Sequence, residues 1–409
     1  MTRRISIAAL IAWLLVAVYY LYQYALRSAP SVMMPQLCEA FGVTSLGAAS
    51  IVGMFYYGYS PFSLVAGAAI DRFGAKRVIP IGAALVGIGG LLFGTGNSFA
   101  AGTGRLLQGA GGVFALVGAV YLITRNFPAS VGASFIGATQ MFGMAGGSLG
   151  QFGVGPLIQH GLAWNRFWIY AGILGLAISV TLFVLLPRDT ERTDTGGGMA
   201  SLVRPLGKVF RNPQSILCGL IAGLLMLPTT IFGMTWGVRF LQEARGREYD
   251  AAVMLAATLP LGWIIGSPLL GFISDRIGRR KPVIAGGTVM LLGVFAWVLF
   301  GDPAILRGPL VGILMGIASG AAMLPYTVIK EANPPELGGS ATGVINFINF
   351  TFSALLGPLF GSRLERGSEG EPAGLEHYQA GFQPLLYGIA AALVLTFLLK
   401  ETGPAALKS

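Results

Sequence analysis

Arg27 has the side chain and the sequence surroundings of an anion-binding residue. Tyr20, Tyr24 and Arg27 are spaced at i, i+4 and i+7, so a helix would present all three on one face. A guanidinium is a rigid fork of donors that can hold a carboxylate or a phosphate through two hydrogen bonds. The spacing therefore predicts an anion site at Arg27 with two phenols beside it. The alternative is a structural arginine that caps helix carbonyls or extends to the outer end of its helix.

A second arginine, Arg105, also lies inside an apolar segment. It could be a further contact for the anion. It could instead brace its helix, because Gln108 and the glycines beside it favour close packing between helices. The sequence leaves both roles open.

Amides and aromatic rings supply the other candidates for a binding site. Asn346 and Asn349 share one side of an apolar segment with Thr342 and Ser353. Amides donate and accept hydrogen bonds, so this side could bind hydroxyl or carbonyl groups of a ligand, or it could join neighbouring helices. The candidates for stacking on a ligand or closing a gate, with packing as the alternative, are Trp236, Tyr326 and the cluster Phe55-Tyr56-Tyr57-Gly58-Tyr59, from which Tyr57 is named as a site residue. Gln140 is a further candidate.

The acidic residues lie away from the middle of the apolar segments. All 17 Asp and Glu residues fall in predicted loops or at segment ends, and His160 and His377 lie in predicted loops. A centre with fixed positive charge and no fixed negative charge suits an anionic ligand and disfavours a cationic one. It also disfavours a dedicated proton relay, for which Glu331 at a segment end is the nearest candidate. Anion exchange, or movement of a proton with a weakly acidic ligand, is therefore favoured.

The composition predicts that the apolar segments span a membrane. Of 409 residues, 54% are hydrophobic and only 11% are charged, the mean hydropathy is +0.71, and 61 residues are glycine. Small residues allow spanning helices to approach one another closely. Cys38 and Cys218 fit neither a disulfide pattern nor a metal site, and no cofactor is expected.

Twelve apolar stretches are long enough to cross a bilayer. They lie within residues 5–35, 44–68, 78–97, 99–124, 131–158, 163–187, 213–240, 251–273, 281–301, 305–329, 340–361 and 383–400. The first is too long for the apolar core of a signal peptide, so we expect it to be retained.

The basic residues predict the orientation of the chain. Of the 27 Lys and Arg residues, two lie within predicted spans and seven on the side away from the termini, which leaves 18 on the side of the termini. This bias predicts a multi-pass protein of the cytoplasmic membrane with both termini in the cytoplasm. The net charge of +10 is expected to reflect this topology and contact with anionic lipids, and we expect no nucleic-acid binding.

Two charged turns are copies of one another. They are 204 residues apart, which is half the chain, and read Gly67-Ala-Ala-Ile-Asp71-Arg72-Phe-Gly74 and Gly271-Phe-Ile-Ser-Asp275-Arg276-Ile-Gly278. The repeat predicts a duplicated membrane protein, with helical bundles at 1–187 and 213–409 and a cytoplasmic linker at 188–212. Residues 201–211 could form a short amphipathic helix at the membrane surface or a solvated tether.

These features resemble the major facilitator superfamily, and in particular its anion:cation symporters and organophosphate:phosphate antiporters. The segment Arg105-Leu-Leu-Gln-Gly109 is similar to an Arg-x-x-Gln-Gly signature of the superfamily, and the Gly-rich fifth span ends in Gly155-Pro156. The resemblance implies an all-α membrane protein with twelve transmembrane helices in two pseudo-symmetric six-helix bundles. It also implies that Arg27, upstream of Met34-Pro35, is the substrate arginine.

The repeated turns and the seventh span complete the comparison with this superfamily. A carboxylate just past a spanning helix can meet a helix N-terminus or a nearby arginine, so the turns could latch the inner face and favour the outward-open state. The alternative is that these charges only fix the topology of the loops. The residues concerned are Asp71, Arg72, Asp275 and Arg276. Thr230 aligns with a second substrate arginine of the phosphate antiporters, so a monoanion is favoured over a doubly charged phosphate.

We therefore expect a secondary active transporter, and no enzyme, that moves a small organic anion across the cytoplasmic membrane by alternating access. A carboxylate is the favoured substrate, a coupling proton or a counter-anion and membrane lipids are the other expected partners, and a monomer is the expected state. No Walker loop, dinucleotide fingerprint or catalytic Ser–His arrangement is present in the sequence. The alternatives are a membrane sensor for such an anion and an exporter of apolar compounds or metabolites.

Overall fold

The computed structural model describes residues 6–187, 199–302, 309–368, 374–403 and 405. This part of the chain is built of helices and contains no β-strand. The N-terminal bundle comprises α1 (Ile7–Ser28), α2 (Met34–Phe41), α3 (Ser45–Phe73), α4 (Ala75–Phe93), α5 (Ser98–Asn126), α6 (Ala129–Phe152), α7 (Val154–Gln159) and α8 (Trp164–Leu185). The next helix is α9 (Met199–Phe210), within the predicted linker, whose residues 188–198 lie outside the described ones. The C-terminal bundle comprises α10 (Pro213–Leu227), α11 (Gly237–Glu243), α12 (Tyr249–Ile277), α13 (Lys281–Phe300), α14 (Leu310–Ser319), α15 (Leu324–Glu331), α16 (Gly338–Ser368) and α17 (Leu375–Leu398).

Several of these helices join into longer spans through irregular turns. A 3₁₀ turn, Ala29–Val32, follows α1, and another, Gly320–Met323, joins α14 to α15. A π-helix, Pro228–Trp236, joins α10 to α11. Such departures from α geometry occur often at functional sites.

Long apolar helices make this an integral, multi-pass membrane protein. Ten helical stretches of the described residues are long and apolar enough to cross a bilayer, and the pair α2 and α3, bent by 102°, adds an eleventh. The helix α6, with 24 residues and six glycines, is also long enough to cross a bilayer. On α8, Val180, Phe183 and Val184 are 63%, 57% and 64% exposed, a surface that suits lipid as the solvent. The predicted all-α membrane fold is therefore confirmed.

Glycine fixes the geometry of the two repeated turns. Gly74, between α3 and α4, has a φ of 87°, and Gly278, between α12 and α13, has a φ of 69°. Positive φ favours glycine because the residue has no Cβ, which explains the glycine in both copies. Both turns lie on the face where α1 begins and α17 ends. We call this the terminal face and the other the distal face.

The charged residues of the two turns differ in their surroundings. Asp275 forms an ion pair with Arg280, which also pairs with Glu331 at 2.8 Å and so joins α12 to α15. Arg72 and Arg276 are exposed, and the side chain of Asp71 lies outside the described residues. The two ion pairs of Arg280 form a link within the C-terminal bundle, and an effect of the turns on conformation stays a prediction.

Glu401 ties the end of the chain to the second turn. Its carboxylate accepts hydrogen bonds from the backbone N–H groups of Arg280, Lys281, Thr402 and Gly403 at 2.7–3.1 Å. Partial burial would raise the pKa of this carboxyl, but these donors outweigh that effect and hold the pKa below its usual value. The ionised carboxylate therefore anchors the segment after α17.

Glycines bring α3 and α5 into direct backbone contact. A Cβ on Gly109 would lie 1.9 Å from the carbonyl oxygen of Phe55, and one on Gly58 would lie 2.1 Å from that of Leu106. Only small residues allow helices to pack at this distance. The contact fixes the part of α3 that carries Phe55 and Tyr56.

We expect Gly109→Ala to destabilise the purified protein by about 1–3 kcal/mol, because the new methyl group would push α3 away from α5. Gly67→Ala is the matched control, since nothing lies within 4 Å of a Cβ at that position of α3. Thermal unfolding of the two variants in the same detergent compares them directly. Equal melting temperatures would contradict the packing argument.

The two bundles meet along α3 and α16 and, near the distal face, along α6 and α12. In the first contact, the hydroxyl of Ser60 donates to the carbonyl of Phe347 at 2.8 Å. Near the distal face, three side chains donate to backbone carbonyls of the other bundle: Ser148 to Ala257 at 2.8 Å, Gln151 to Gly233 at 2.6 Å and Tyr249 to Val32 at 2.8 Å. Arg239 of α11 also donates to the hydroxyl of Ser45 at the start of α3. These bonds hold the bundles together at the distal face.

Candidate functional site

Arg27 is buried near the middle of the protein, in the last turn of α1. Arg27 is only 2% exposed, and its guanidinium keeps its positive charge under all ordinary conditions. It is therefore a buried charge. The helix ends one residue later, because Pro30 in the following 3₁₀ turn has no N–H to continue it. The charge therefore lies where the first span is interrupted.

Four aromatic rings surround the guanidinium of Arg27. Its central carbon lies 4.9 Å from the ring centres of Tyr24, Tyr56 and Phe350, and 5.5 Å from that of Phe55. Ring faces carry partial negative charge, so each contact stabilises the cation. Tyr56 also accepts a hydrogen bond from Arg27 Nε at 3.3 Å.

The guanidinium is nevertheless incompletely paired. Arg27 Nη1 is buried and has no hydrogen-bond partner among the described residues. No acidic side chain in the described ranges forms an ion pair with Arg27. A buried donor without a partner costs about 1–3 kcal/mol, and more when it is charged. Such a group has a strong tendency to bind an anion.

Tyr20 and Gln140 lie beside this cluster, as does Tyr24. The Tyr20 hydroxyl donates to Gln140 Oε1 at 3.0 Å, and the Tyr20 and Tyr24 rings meet edge to face with centres 4.9 Å apart. Gln140 Nε2 lies 4.0 Å from the sulfur of Met323 in the C-terminal bundle. Successive contacts therefore connect Arg27 with Tyr24, Tyr20 and Gln140, and Gln140 reaches the C-terminal bundle.

Arg105 is bonded within the protein scaffold. Its Nε donates to the carbonyl of Val52 at 3.0 Å, and its Nη1 donates to the carbonyl of Leu26 at 3.1 Å and to Gln108 Oε1 at 2.7 Å. In a continuous α-helix the Leu26 carbonyl would accept a hydrogen bond from the N–H of residue 30, but Pro30 has no N–H. Arg105 supplies the missing donor. Of the two roles that the sequence left open, this geometry favours the bracing role. Arg105 holds the segment that ends at Arg27.

A second polar cluster lies in the C-terminal bundle. The Tyr326 hydroxyl donates to Asn346 Oδ1 at 2.7 Å and accepts from Asn349 Nδ2 at 3.0 Å. Asn349 Oδ1 is buried and has no partner among the described residues. Met323, three residues before Tyr326, is the residue whose sulfur lies 4.0 Å from Gln140 Nε2 of the first cluster. The two clusters therefore face each other across the bundle junction.

Two predicted residues lie elsewhere. Tyr57 is 44% exposed, because one residue along a helix turns the side chain by about 100° away from that of Tyr56. Trp236 is buried against Phe360, with ring centres 5.2 Å apart, towards the distal end of α16. The structure does not bring Tyr57 or Trp236 to the guanidinium of Arg27.

The sequence prediction missed Gln23, and it did not single out Tyr56 or Phe350. Gln23 is 1% exposed, and neither polar atom of its amide has a partner in the described part of the chain. Its position four residues before Arg27, on the same helix face, is a signal that could have found it. Phe350 had no comparable signal, because its contact with Arg27 depends on how the two bundles meet.

The chain forms two six-helix bundles with a buried guanidinium at their junction, the place where secondary transporters hold their substrate and ion sites. The model of the Major Facilitator Superfamily matches residues 12–358. The chain therefore belongs to this superfamily, and the resemblance predicted from its sequence is confirmed.

Comparison with known proteins gives further likenesses. The chain is 24% identical to the probable galactarate/D-glucarate transporter GudP of Bacillus subtilis, over 82% of each chain. It is also 24% identical to the hexuronate transporter of Bacillus subtilis, over 82% of this chain and 83% of that one. It is equally 24% identical to the multidrug resistance protein Stp of Mycobacterium tuberculosis, over 77% of this chain and 68% of that one.

The fold is similar to that of a solved transporter. The nucleoside transporter NupG, in the crystal structure of a point mutant, superposes with a TM-score of 0.73 at 15% identity. The match covers 95% of this chain and 99% of that one. It supports the fold, with two bundles of six helices.

Proposed function

We propose that this protein is a secondary active transporter that moves a small organic anion across the cytoplasmic membrane by alternating access. Arg27 is its main charge partner. The observation that carries the proposal is the buried guanidinium whose Nη1 has no partner among the described residues. A carboxylate would satisfy this donor through a charge-assisted hydrogen bond.

The substrate is a carboxylate that also carries hydroxyl groups. Gln23 and Asn349 keep buried amide atoms that have no partner in the described ranges, and such atoms suit hydroxyl groups of a ligand. Thr230 is bonded to Ser353 at 3.1 Å and offers no second positive charge. These contacts favour a single carboxylate over a phosphate. The name of the hexuronate transporter agrees with a hydroxylated acid that has one carboxylate, and the name of GudP agrees with a hydroxylated acid, although galactarate and D-glucarate carry two carboxylates.

The arrangement of the bundles supports alternating access. Closure at the distal face would leave entry and exit to the terminal face, which we assign to the cytoplasm together with both chain termini. Rocking of the bundles about Arg27 would expose the site to either side in turn. Coupling is by anion exchange or by a proton that moves with the substrate.

Counterflow in proteoliposomes tests the proposal. Vesicles preloaded with unlabelled D-glucuronate should take up external labelled D-glucuronate faster than empty vesicles, and galactarate serves as a second probe. Arg166→Gln is the control for replacement of Arg27 and should keep the parental counterflow. Arg166 is exposed at the start of α8 and far along the chain from Arg27. Binding of these acids without any flux would instead identify a sensor.

The second candidate function is export of apolar compounds. The relative named as a multidrug resistance protein favours it. In that case the transported compound would not need the charge of Arg27. Drug efflux that survives replacement of Arg27 would support this candidate over the anion transporter.

A further inference from the structure

Phe350 is the only one of the four rings around Arg27 that the C-terminal bundle supplies. It is 3% exposed on α16, and its ring centre lies 4.9 Å from the guanidinium carbon. The other three rings, from Tyr24, Phe55 and Tyr56, belong to α1 and α3 of the same bundle as Arg27. The contact of Phe350 with the cation therefore depends on the relative position of the bundles.

The ring of Phe350 is held tightly in this position. It lies nearly parallel to the ring of Tyr56, with an interplanar angle of 13°, and it meets the ring of Tyr59 edge to face at 4.5 Å. One turn before Phe350, the carbonyl of Phe347 accepts the hydrogen bond from Ser60. Movement of this ring away from Arg27 would therefore disturb the contact between α16 and α3.

A buried cation without an acidic partner needs another source of negative potential. The four ring faces supply part of it, and a bound carboxylate would supply it more strongly. Arg27 Nη1 has almost no accessible surface, so a carboxylate can reach it only if a neighbouring side chain moves. Of the four rings, that of Phe350 belongs to the other bundle and would move with it.

We propose that Phe350 closes an aromatic cage over Arg27 in the empty transporter, and that the substrate anion must displace this ring to bind. This proposal rests on the proposed function at Arg27. Phe350 is then a positioning residue, because ring displacement couples anion binding to movement of α16 against α1 and α3. It also explains how the empty protein holds the charge of Arg27 without a bound counter-anion.

A double-mutant cycle tests the cage without any ligand. Thermal unfolding of the full chain is measured for the parent, Arg27→Met, Phe350→Leu and the double variant. We expect Phe350→Leu to lower the melting temperature in the parent and to lower it less when Arg27 is already methionine. Additive effects would overturn the proposal.

Phe352→Leu is the matched control for this cycle. Phe352 is on the same helix, but it packs against Gly223 of α10 in its own bundle. Its effect should therefore be the same whether or not Arg27 is present. A coupling to Arg27 as large as that of Phe350 would mean that any loosening of α16 affects Arg27, which contradicts a specific cage.

Anion binding tests the displacement. D-glucuronate should bind Phe350→Leu about tenfold more tightly than the parent, a difference of about 1.4 kcal/mol, because the anion no longer competes with the ring. Phe350→Tyr should restore the parental affinity, since it keeps the ring face. Weaker or unchanged binding to Phe350→Leu would overturn the proposal. If no variant binds D-glucuronate or galactarate, the proposed function fails, and the ligand-free cycle alone decides the cage.

Discussion

Replacement of Arg27 by methionine is expected to reduce the affinity for a carboxylate substrate by about 100-fold. The rate of transport at low substrate concentration should fall by the same factor. The charge-assisted hydrogen bond from Arg27 Nη1 to the carboxylate would contribute about 1.5–3 kcal/mol, which corresponds to about 10- to 150-fold in affinity. Arg27→Lys should restore part of the affinity, because an ammonium keeps the charge and loses the two-pronged geometry. Uptake of labelled D-glucuronate by proteoliposomes measures both variants.

The same replacement should leave the melting temperature of the ligand-free protein unchanged or raise it. Arg27 is a buried charge with one incompletely paired nitrogen, and a mid-membrane guanidinium costs about 2.5–3.5 kcal/mol on insertion scales. Methionine removes that cost and keeps most of the apolar volume. A marked loss of stability would show that Arg27 is chiefly structural, and transport at the parental rate would contradict its role in binding.

Replacement of Arg105 by methionine is expected to have the opposite effect on stability. The variant would leave the carbonyls of Leu26 and Val52 and the amide oxygen of Gln108 without the guanidinium that now donates to them. Buried polar groups that lose their partners cost about 1–3 kcal/mol each. Leu26 and Gln108 would lose theirs, whereas the Val52 carbonyl keeps its bond within α3, so we expect a loss of about 2 kcal/mol or more. A melting temperature well below that of the parent would be the result in thermal unfolding.

Arg27→Met is the matched comparison for Arg105→Met, because both variants replace a buried arginine by the same residue. A scaffold role for Arg105 predicts that only Arg105→Met unfolds early. If Arg105→Met kept the parental melting temperature and lost anion binding, Arg105 would instead be a substrate contact. If Arg105→Met both unfolds early and binds poorly, anion binding should be measured at a reduced temperature, where the variant is still folded. That measurement separates an effect on folding from an effect on binding.

The membrane fold could be predicted from sequence because its determinants are local. Apolar length defines each span, and the glycine of each repeated turn is required by a positive φ at Gly74 and Gly278. The irregular backbone was harder to predict. The π-helix at Pro228–Trp236 and the close approach of Gly109 to Phe55 depend on packing between helices.

The candidate site could be predicted only in part. The face shared by Tyr20, Tyr24 and Arg27 follows from helical periodicity, and the structure places these residues together. Within the cluster of residues 55–59, composition could not decide that Tyr56 faces the guanidinium while Tyr57 is exposed. The role of Phe350 required knowledge of how two segments more than 300 residues apart meet, which a single sequence does not contain.

The bonds that hold the distal face together are mostly neutral. Ser148, Gln151 and Tyr249 each donate to a backbone carbonyl, and Arg239 is the one cation among the groups described there. A neutral hydrogen bond contributes about 1 kcal/mol and, unlike an ion pair, is scarcely screened by dissolved salt. If the bundles separate here as proposed, the rate of separation should therefore be nearly the same in dilute and in concentrated electrolyte.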